Sequence, residues 1–210
     1  MKKTVIFGDS YSTFDGYIPN GYAPYYPGLG VDKVEKTWWG ILAKKYNLNI
    51  VQNNSWSGST IGYTGYENTD CSKDSSFIYR YRLLKQEGFF EKNDVDTIFV
   101  FGGTNDSWSN APLGEYKLND WQEKDLYNVL PAICYFAHIL KSDFPNTQII
   151  FIINSDIKEE IQNCIQKVAK HYDAKSVLLE NIEKEGGHPN QKGMEQMANQ
   201  IEKVLNLSVI

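Results

Sequence analysis

The chain has 210 residues, and at roughly 150 residues per domain that length predicts a single domain spanning 1–210. It is 41% hydrophobic and 22% charged, a balance that suits a globular chain burying about 70% of the surface its unfolded form exposes. With 21 basic against 26 acidic residues and a net charge of −5, it lacks the basic excess of a nucleic-acid binder, so no nucleic-acid partner is expected.

The amino end opens with two lysines and a four-residue apolar run at 4–7, too short for the core of a secretory signal. As written it reads as cytoplasmic, although a trimmed export signal would leave no trace. No stretch approaches the length of about 18 apolar residues that a membrane span needs. Short β-branched and aromatic runs recur at 4–7, 48–52, 97–101, 148–153 and 176–179, and read as five strands. Amphipathic segments at 36–46, 76–87, 121–141, 157–171 and 191–205 read as helices, the last opened by Pro189 near its first turn. Strand-helix alternation implies parallel pairing through right-handed crossovers. The expected fold is a flavodoxin-like three-layer α/β/α sandwich with a five-stranded parallel sheet of order 2-1-3-4-5.

Three connections are long: 8–35, 58–74 and 102–120. Ordinary connections run about 4–6 residues, so these have a function or are disordered. The first carries Tyr11, Phe14, Tyr17, Tyr22, Tyr25 and Tyr26 and leads into Trp38 and Trp39, an aromatic density that disfavours disorder. All three follow strands, at the carboxyl edge where open α/β sheets bind ligands.

The residues just beyond the strands there are Gly8-Asp9-Ser10, Ser57-Gly58-Ser59, Gly103-Thr104-Asn105-Asp106 and Gly187-His188-Pro189. A hydroxyl, an amide, glycines and an imidazole converging on one rim are the components of a serine-type acyl hydrolase. Ser10 is the candidate nucleophile, though a serine in a polar turn is the plain alternative for that triplet alone. Of three histidines, His138 falls inside an apolar helix and His171 closes one, which leaves His188 as the candidate base. Glu185, three residues upstream, is the candidate orienting acid, with Glu183 second; if neither reaches, a backbone carbonyl takes that place. The backbone N–H groups of Ser10 and Gly58 and the side-chain amide of Asn105 are the candidate oxyanion donors, and Asp9 and Asp106 are expected to brace neighbouring loops.

Competing signatures are missing. Gly28-Leu29-Gly30 lacks the third glycine of a dinucleotide fingerprint, no phosphate-binding loop with its lysine exists, and neither metal-ligand spacing nor a G-x-S-x-G elbow occurs. Cys71, Cys134 and Cys164 are widely spaced and odd in number, which suits buried thiols better than disulfides or zinc.

The four blocks, in order, resemble those of the SGNH hydrolases, the GDSL-type esterases and lipases, the four letters mapping to Ser10, Gly58, Asn105 and His188. The resemblance implies no cofactor, no metal, and ester hydrolysis through an acyl-serine intermediate. Two departures stand out: Glu185 where the family carries aspartate, and Tyr11 where its signature has leucine. Tyr11, Trp56 and Trp108 are candidate substrate contacts, with Tyr116 and Trp121 on neighbouring connections, because flat rings pair with sugar faces. The expected substrate is a small-molecule or glycan ester carrying a short acyl group. A lipid-ester or thioester acylhydrolase, an acyltransferase, and a non-catalytic carbohydrate-binding module are the alternatives on the same scaffold.

Overall fold

The computed structural model describes residues 1–205; the last five residues of the expected domain lie outside the described residues, and the helix expected to run to Leu205 ends at Ile201, followed by a 3₁₀ turn, Glu202–Val204. Five parallel strands form one sheet in the order β2-β1-β3-β4-β5: β1 Lys2–Gly8, β2 Leu48–Ser55, β3 Thr97–Phe101, β4 Gln148–Ile153 and β5 Lys175–Leu178. The three inner strands are apolar on both faces, as strands covered on both sides must be, whereas β5 at one edge is only partly buried.

Right-handed crossovers decide which face each helix covers. From β1 the chain moves outward to β2 and then reverses across β1 to β3, so α1 (Trp38–Tyr46) lies on one face and α2 (Phe77–Gln86), α5 (Val129–Asp143) and α6 (Glu159–His171) on the other. The carboxy-terminal helix α7 (Gln191–Ile201) packs beside α1. Alternate residues of β1 separate accordingly: Val5 and Phe7 join the core under α2, α5 and α6, and Ile6 joins the core under α1 and α7. The reversal puts the topological switch point between β1 and β3, at the rim that carries Ser10 and Asn105.

Two helix boundaries differ from the sequence pattern. The helix expected from residue 121 begins at Val129, after a separate 3₁₀ turn, Glu123–Tyr127. Pro131 is the cause: it cannot donate to the Tyr127 carbonyl and its ring excludes a preceding helical turn, so that carbonyl instead accepts from the Thr64 hydroxyl at 2.8 Å. At the last helix Asn190, not Pro189, forms the start: its side chain accepts from Gly193 N–H at 2.9 Å, and Pro189 belongs to a short hairpin strand. Two short helices, α3 (Phe89–Lys92) and α4 (Thr104–Trp108), complete the set, α4 beginning directly after β3. The three cysteines are buried free thiols, with Cys134 and Cys164 Sγ atoms 3.8 Å apart between α5 and α6. Among the described residues no helix is long and apolar enough to cross a membrane.

One buried cation ties the first two strands together beneath the rim. Arg80, on the apolar stripe of α2 with Phe77, Tyr81 and Leu84, is fully buried. Its Nη1 donates to the main-chain carbonyl of Asn54 and, at 2.6 Å, to the Asn54 side-chain oxygen; Nη2 reaches the Ser59 hydroxyl at 3.1 Å and the Gly8 carbonyl at 3.3 Å; Nε donates to the Ser75 carbonyl at 2.9 Å. Burial lowers its pKa to about 10, so it stays charged at neutral pH. Removing the guanidinium strands several buried acceptors at once. Arg80→Met is therefore expected to lower the unfolding free energy by about 3–5 kcal/mol, read as an earlier midpoint in urea titration; an unchanged midpoint would show that these bonds do not hold the rim.

Candidate active site

Ser10 follows β1 in a 3₁₀ turn, Ser10–Ser12, capped by Asp9, whose Oδ1 accepts from the Tyr11 N–H at 3.1 Å. His188 comes from the far end of the chain, on a hairpin of β6 (Lys184–Glu185) and β7 (His188–Pro189). The two-residue turn between them needs positive φ at both positions, which Gly186 (+54°) and Gly187 (+82°) supply. The His188 Nε2 lies 2.9 Å from Ser10 Oγ, and Nδ1 lies 3.3 Å from the Gly186 carbonyl. A carbonyl can only accept, so Nδ1 carries the proton and Nε2 is left to accept from the Ser10 hydroxyl. Burial holds the imidazole pKa below its ordinary value, the positive charge of Lys184 acts in the same direction, and the Gly186 carbonyl opposes both. The ring is neutral near pH 7, the state in which it can take a proton.

Glu185 does not reach the imidazole. Its Oε1 accepts from Asn190 Nδ2 at 3.1 Å, and the same amide donates to Glu183 Oε1 at 2.9 Å, while Glu183 also pairs with Lys192 at 2.8 Å. Both candidate acids are gathered at the start of α7. The partner of Nδ1 is the main chain.

Asn105 lies in the first turn of α4 and is 4% exposed. Its Nδ2 donates to the Ser59 carbonyl at 2.9 Å and its Oδ1 accepts from the Tyr66 hydroxyl at 2.8 Å, so one amide N–H remains free. Gly58 sits in an exposed turn with φ +81°, and a Cβ there would meet nothing within 4 Å; backbone conformation, not crowding, calls for glycine. That turn is pinned to the first by the Trp56 N–H, which donates to the Gly8 carbonyl at 3.1 Å. Asp106 is buried and accepts from Ile61 N–H at 3.0 Å and Gly62 N–H at 3.2 Å, which braces the segment following Gly58.

The aromatic residues divide. Tyr11 is 1% exposed and its hydroxyl donates to the Gly187 carbonyl, so it supports the His188 turn and does not face solvent as a substrate contact would. Trp108 is 39% exposed with its ring centroid 6.2 Å from His188, and Trp56 is half-buried and stacked on Tyr22 at 4.3 Å. Trp121 instead packs on Tyr135 and His138 of α5, and Tyr116 lines a separate small cavity with Asp125 and Pro131. A cavity of about 690 Å³ lies along β2, lined by Tyr17, Tyr22 and Trp39 and not by Ser10 or His188. Sequence reasoning did not single out Tyr25, stacked flat on His188; Tyr26, whose buried hydroxyl donates to the Pro189 carbonyl at 2.6 Å; or Arg80. Arg80 had a signal, a cation on an apolar helical stripe; nothing in spacing distinguishes Tyr25 from its aromatic neighbours. Among the described residues no group of three or more His, Cys, Asp or Glu is placed to hold a metal ion.

Two carboxyls beneath this site are raised. Burial pushes Asp9, whose Oδ2 has no hydrogen-bond partner among the described residues, up to about 7, and Asp106 up to about 6, against main-chain N–H bonds that lower both. A raised carboxyl binds its proton more tightly folded than unfolded. Its stabilising contribution is complete below the unfolded value of 3.8 and is lost as pH rises through the folded value. Asp9→Asn, which cannot ionise, should therefore gain stability relative to the parent as pH rises from about 4 to 8, measured by urea unfolding across that range. A pH-independent difference would place the Asp9 carboxyl near its ordinary value.

The family model described as GDSL-like Lipase/Acylhydrolase matches residues 2–205. A crystal structure from Bacteroides ovatus ATCC 8483, described as that of a GDSL-like lipase, is 40% identical, with 97% of each chain covered and a TM-score of 0.88. Another from Bacteroides uniformis ATCC 8492, described in the same words, is 39% identical, covering 97% of this chain and 95% of that one, with a TM-score of 0.87. A family two carbohydrate esterase from Clostridium thermocellum, in complex with cellohexaose, shares the fold at 14% identity and a TM-score of 0.64, covering 96% of this chain and 62% of that one. No curated protein matches.

Proposed function

Since the chain belongs to the GDSL-like lipase/acylhydrolase family, we propose that it is a serine esterase in which Ser10 is the nucleophile and His188 the base, working without an orienting carboxylate. The observation that carries this reading is the 2.9 Å approach of His188 Nε2 to Ser10 Oγ, with the Gly186 carbonyl selecting the tautomer that leaves Nε2 free. Ser10 Oγ attacks the ester carbonyl as His188 Nε2 takes its proton. The negative charge that develops on the carbonyl oxygen is met by the N–H groups of Ser10 and Gly58 and the free N–H of Asn105, each such donor being worth roughly 10²–10³ in rate. The tetrahedral intermediate then expels the alcohol, protonated by His188. Water, deprotonated by the same imidazole, attacks the acyl-serine, and its collapse returns the acid and the serine hydroxyl.

The proposed substrate is a short-acyl ester, an acetyl ester of a carbohydrate foremost. Trp108 beside His188 and the stacked pair of Tyr22, from the β1–α1 connection, and Trp56, just after β2, support it, because flat, partly exposed rings suit the apolar faces of sugars. The shared fold of the cellohexaose-bound carbohydrate esterase is in keeping with this reading.

With p-nitrophenyl acetate, Ser10→Ala and His188→Ala should each lose at least about 10³-fold in kcat/KM, whereas Glu185→Gln should stay within about twofold of the parent. A Glu185→Gln loss matching that of His188→Ala would restore the carboxylate to the mechanism. Across acetyl, butyryl and octanoyl esters, kcat/KM should fall with chain length, and acetylated oligosaccharides should be turned over; a rise toward octanoyl would instead indicate a lipid-ester hydrolase.

A further inference from the structure

His188 is gripped from the long β1–α1 connection. The Tyr25 ring lies on the imidazole with centroids 3.6 Å apart and planes within 8° of parallel. The other rings around His188 meet it at an angle, Tyr11 at 60° and Trp108 at 78°. Two neutral aromatic rings avoid a face-to-face sandwich because their quadrupoles repel, and prefer offset or edge-on packing. A cation over the face of a tyrosine is attracted instead. The observed stack therefore suits the charged imidazolium better than the neutral ring.

We propose that Tyr25 takes the part of an orienting carboxylate, its ring face stabilising the His188 imidazolium that forms as Ser10 gives up its proton. The inference rests on the reading of Ser10 and His188 as nucleophile and base. No new bond is involved: the proton moves from Ser10 Oγ to His188 Nε2, and the positive charge that appears on the ring lies against the Tyr25 face. An interaction stronger in the charged state than in the neutral one lowers the barrier without tightening substrate binding.

The surroundings leave that part open. Lys184, on β6, is the cation near the ring, and it disfavours the imidazolium. Its Nζ is paired with Asp156 at 2.6 Å. Glu185 is held by Asn190, the Tyr11 hydroxyl by the Gly187 carbonyl, and Trp108, on α4, carries no charge. Ser10 is the proton donor itself. Tyr25 is fixed in turn: its N–H donates to Thr13 Oγ1 at 2.8 Å, its ring packs edge-on against Tyr26 at 5.0 Å, and Tyr26 bonds the carbonyl of Pro189, the residue after His188. Tyr25 is thus a positioning residue acting through the imidazole.

The test compares Tyr25→Leu, which keeps an apolar cover but no ring face, with Tyr25→Phe, which keeps the face. On p-nitrophenyl acetate, Tyr25→Leu should lower kcat roughly tenfold with KM within about twofold, and move the acidic limb of kcat/KM to lower pH; Tyr25→Phe should recover most of the loss. An NMR titration of the His188 ring protons should report the same downward displacement for Tyr25→Leu, independently of turnover. Unchanged kcat and titration in Tyr25→Leu, or a Tyr25→Phe loss equal to that of Tyr25→Leu, would overturn the proposal. Full turnover by Ser10→Ala in the same series would instead sink the esterase reading, and the NMR titration would still decide the effect of Tyr25.

Discussion

The hydrogen bond between Ser10 and His188 joins residues 178 positions apart, and the rest of the rim is arranged to keep it at 2.9 Å. Neither residue is fixed by its own element alone. Ser10 sits on a single 3₁₀ turn and His188 on a hairpin with two paired residues per strand, structures with little independent stability. Parallel strands supply the coarse placement by ending at one edge, and side chains supply the last ångström. Arg80 holds the ends of β1 and β2 from below, Asp106 holds the segment after Gly58, and three tyrosines hold the histidine hairpin from the side.

The way the hairpin is held explains how an imidazole can be oriented without a carboxylate. Three carbonyls around it are engaged: Gly186 with His188 Nδ1, Gly187 with the Tyr11 hydroxyl and, one residue beyond the histidine, Pro189 with the Tyr26 hydroxyl. The backbone on both flanks of His188 is thereby fixed, and the ring is confined between the Tyr25 face and the edge of Tyr11. A neutral carbonyl polarises the imidazole less than a carboxylate does, in keeping with a pKa that stays below the ordinary value. Buried ionisable groups are instead placed one layer deeper, where Arg80 and the two raised carboxyls act on the loops and not on the imidazole.

How much of this was legible follows from the range of each interaction. The β-branched runs and the sequence order of the four rim blocks reveal the sheet and the placement of Ser10, Gly58, Asn105 and His188 at one edge, because strand-helix alternation implies parallel strands that end together, although the strand order itself is not carried by that pattern. The partner of His188 depends on a two-residue turn: with Gly186 and Gly187 both at positive φ, the main chain folds back close enough for the Gly186 carbonyl to meet Nδ1, while the Glu185 carboxylate turns to the amide of Asn190. A spacing of three residues cannot distinguish those outcomes. The start of α5 was readable in principle from Pro131, whose exclusion of the preceding turn outweighs an apolar periodicity that runs on through it. The assignment of individual tyrosines was not, since Tyr11, Tyr22, Tyr25 and Tyr26 share one connection and differ only in what tertiary packing brings to each.

That connection also accounts for its own length. A short link from β1 to α1 would cross the rim directly and leave the histidine hairpin, which arrives at the other end of the chain, with no partner. Lengthening a loop adds closure entropy only as the logarithm of its length, about 0.6 kcal/mol per doubling. Against that stands the burial of Phe14, Tyr26 and Val31 in the core beneath α1 and α7, together with main-chain bonds from Ser57 to Ala23 and from Gln191 to Leu29. The loop is thereby tied to the second rim block at one point and to the start of α7 at another. Because Tyr26, one of these anchors, also bonds the Pro189 carbonyl and its neighbour Tyr25 stacks on His188, the Ser10 turn and the His188 hairpin cannot drift apart without unpacking the aromatic core between them. The geometry of the Ser10–His188 hydrogen bond is in this way coupled to the stability of the fold.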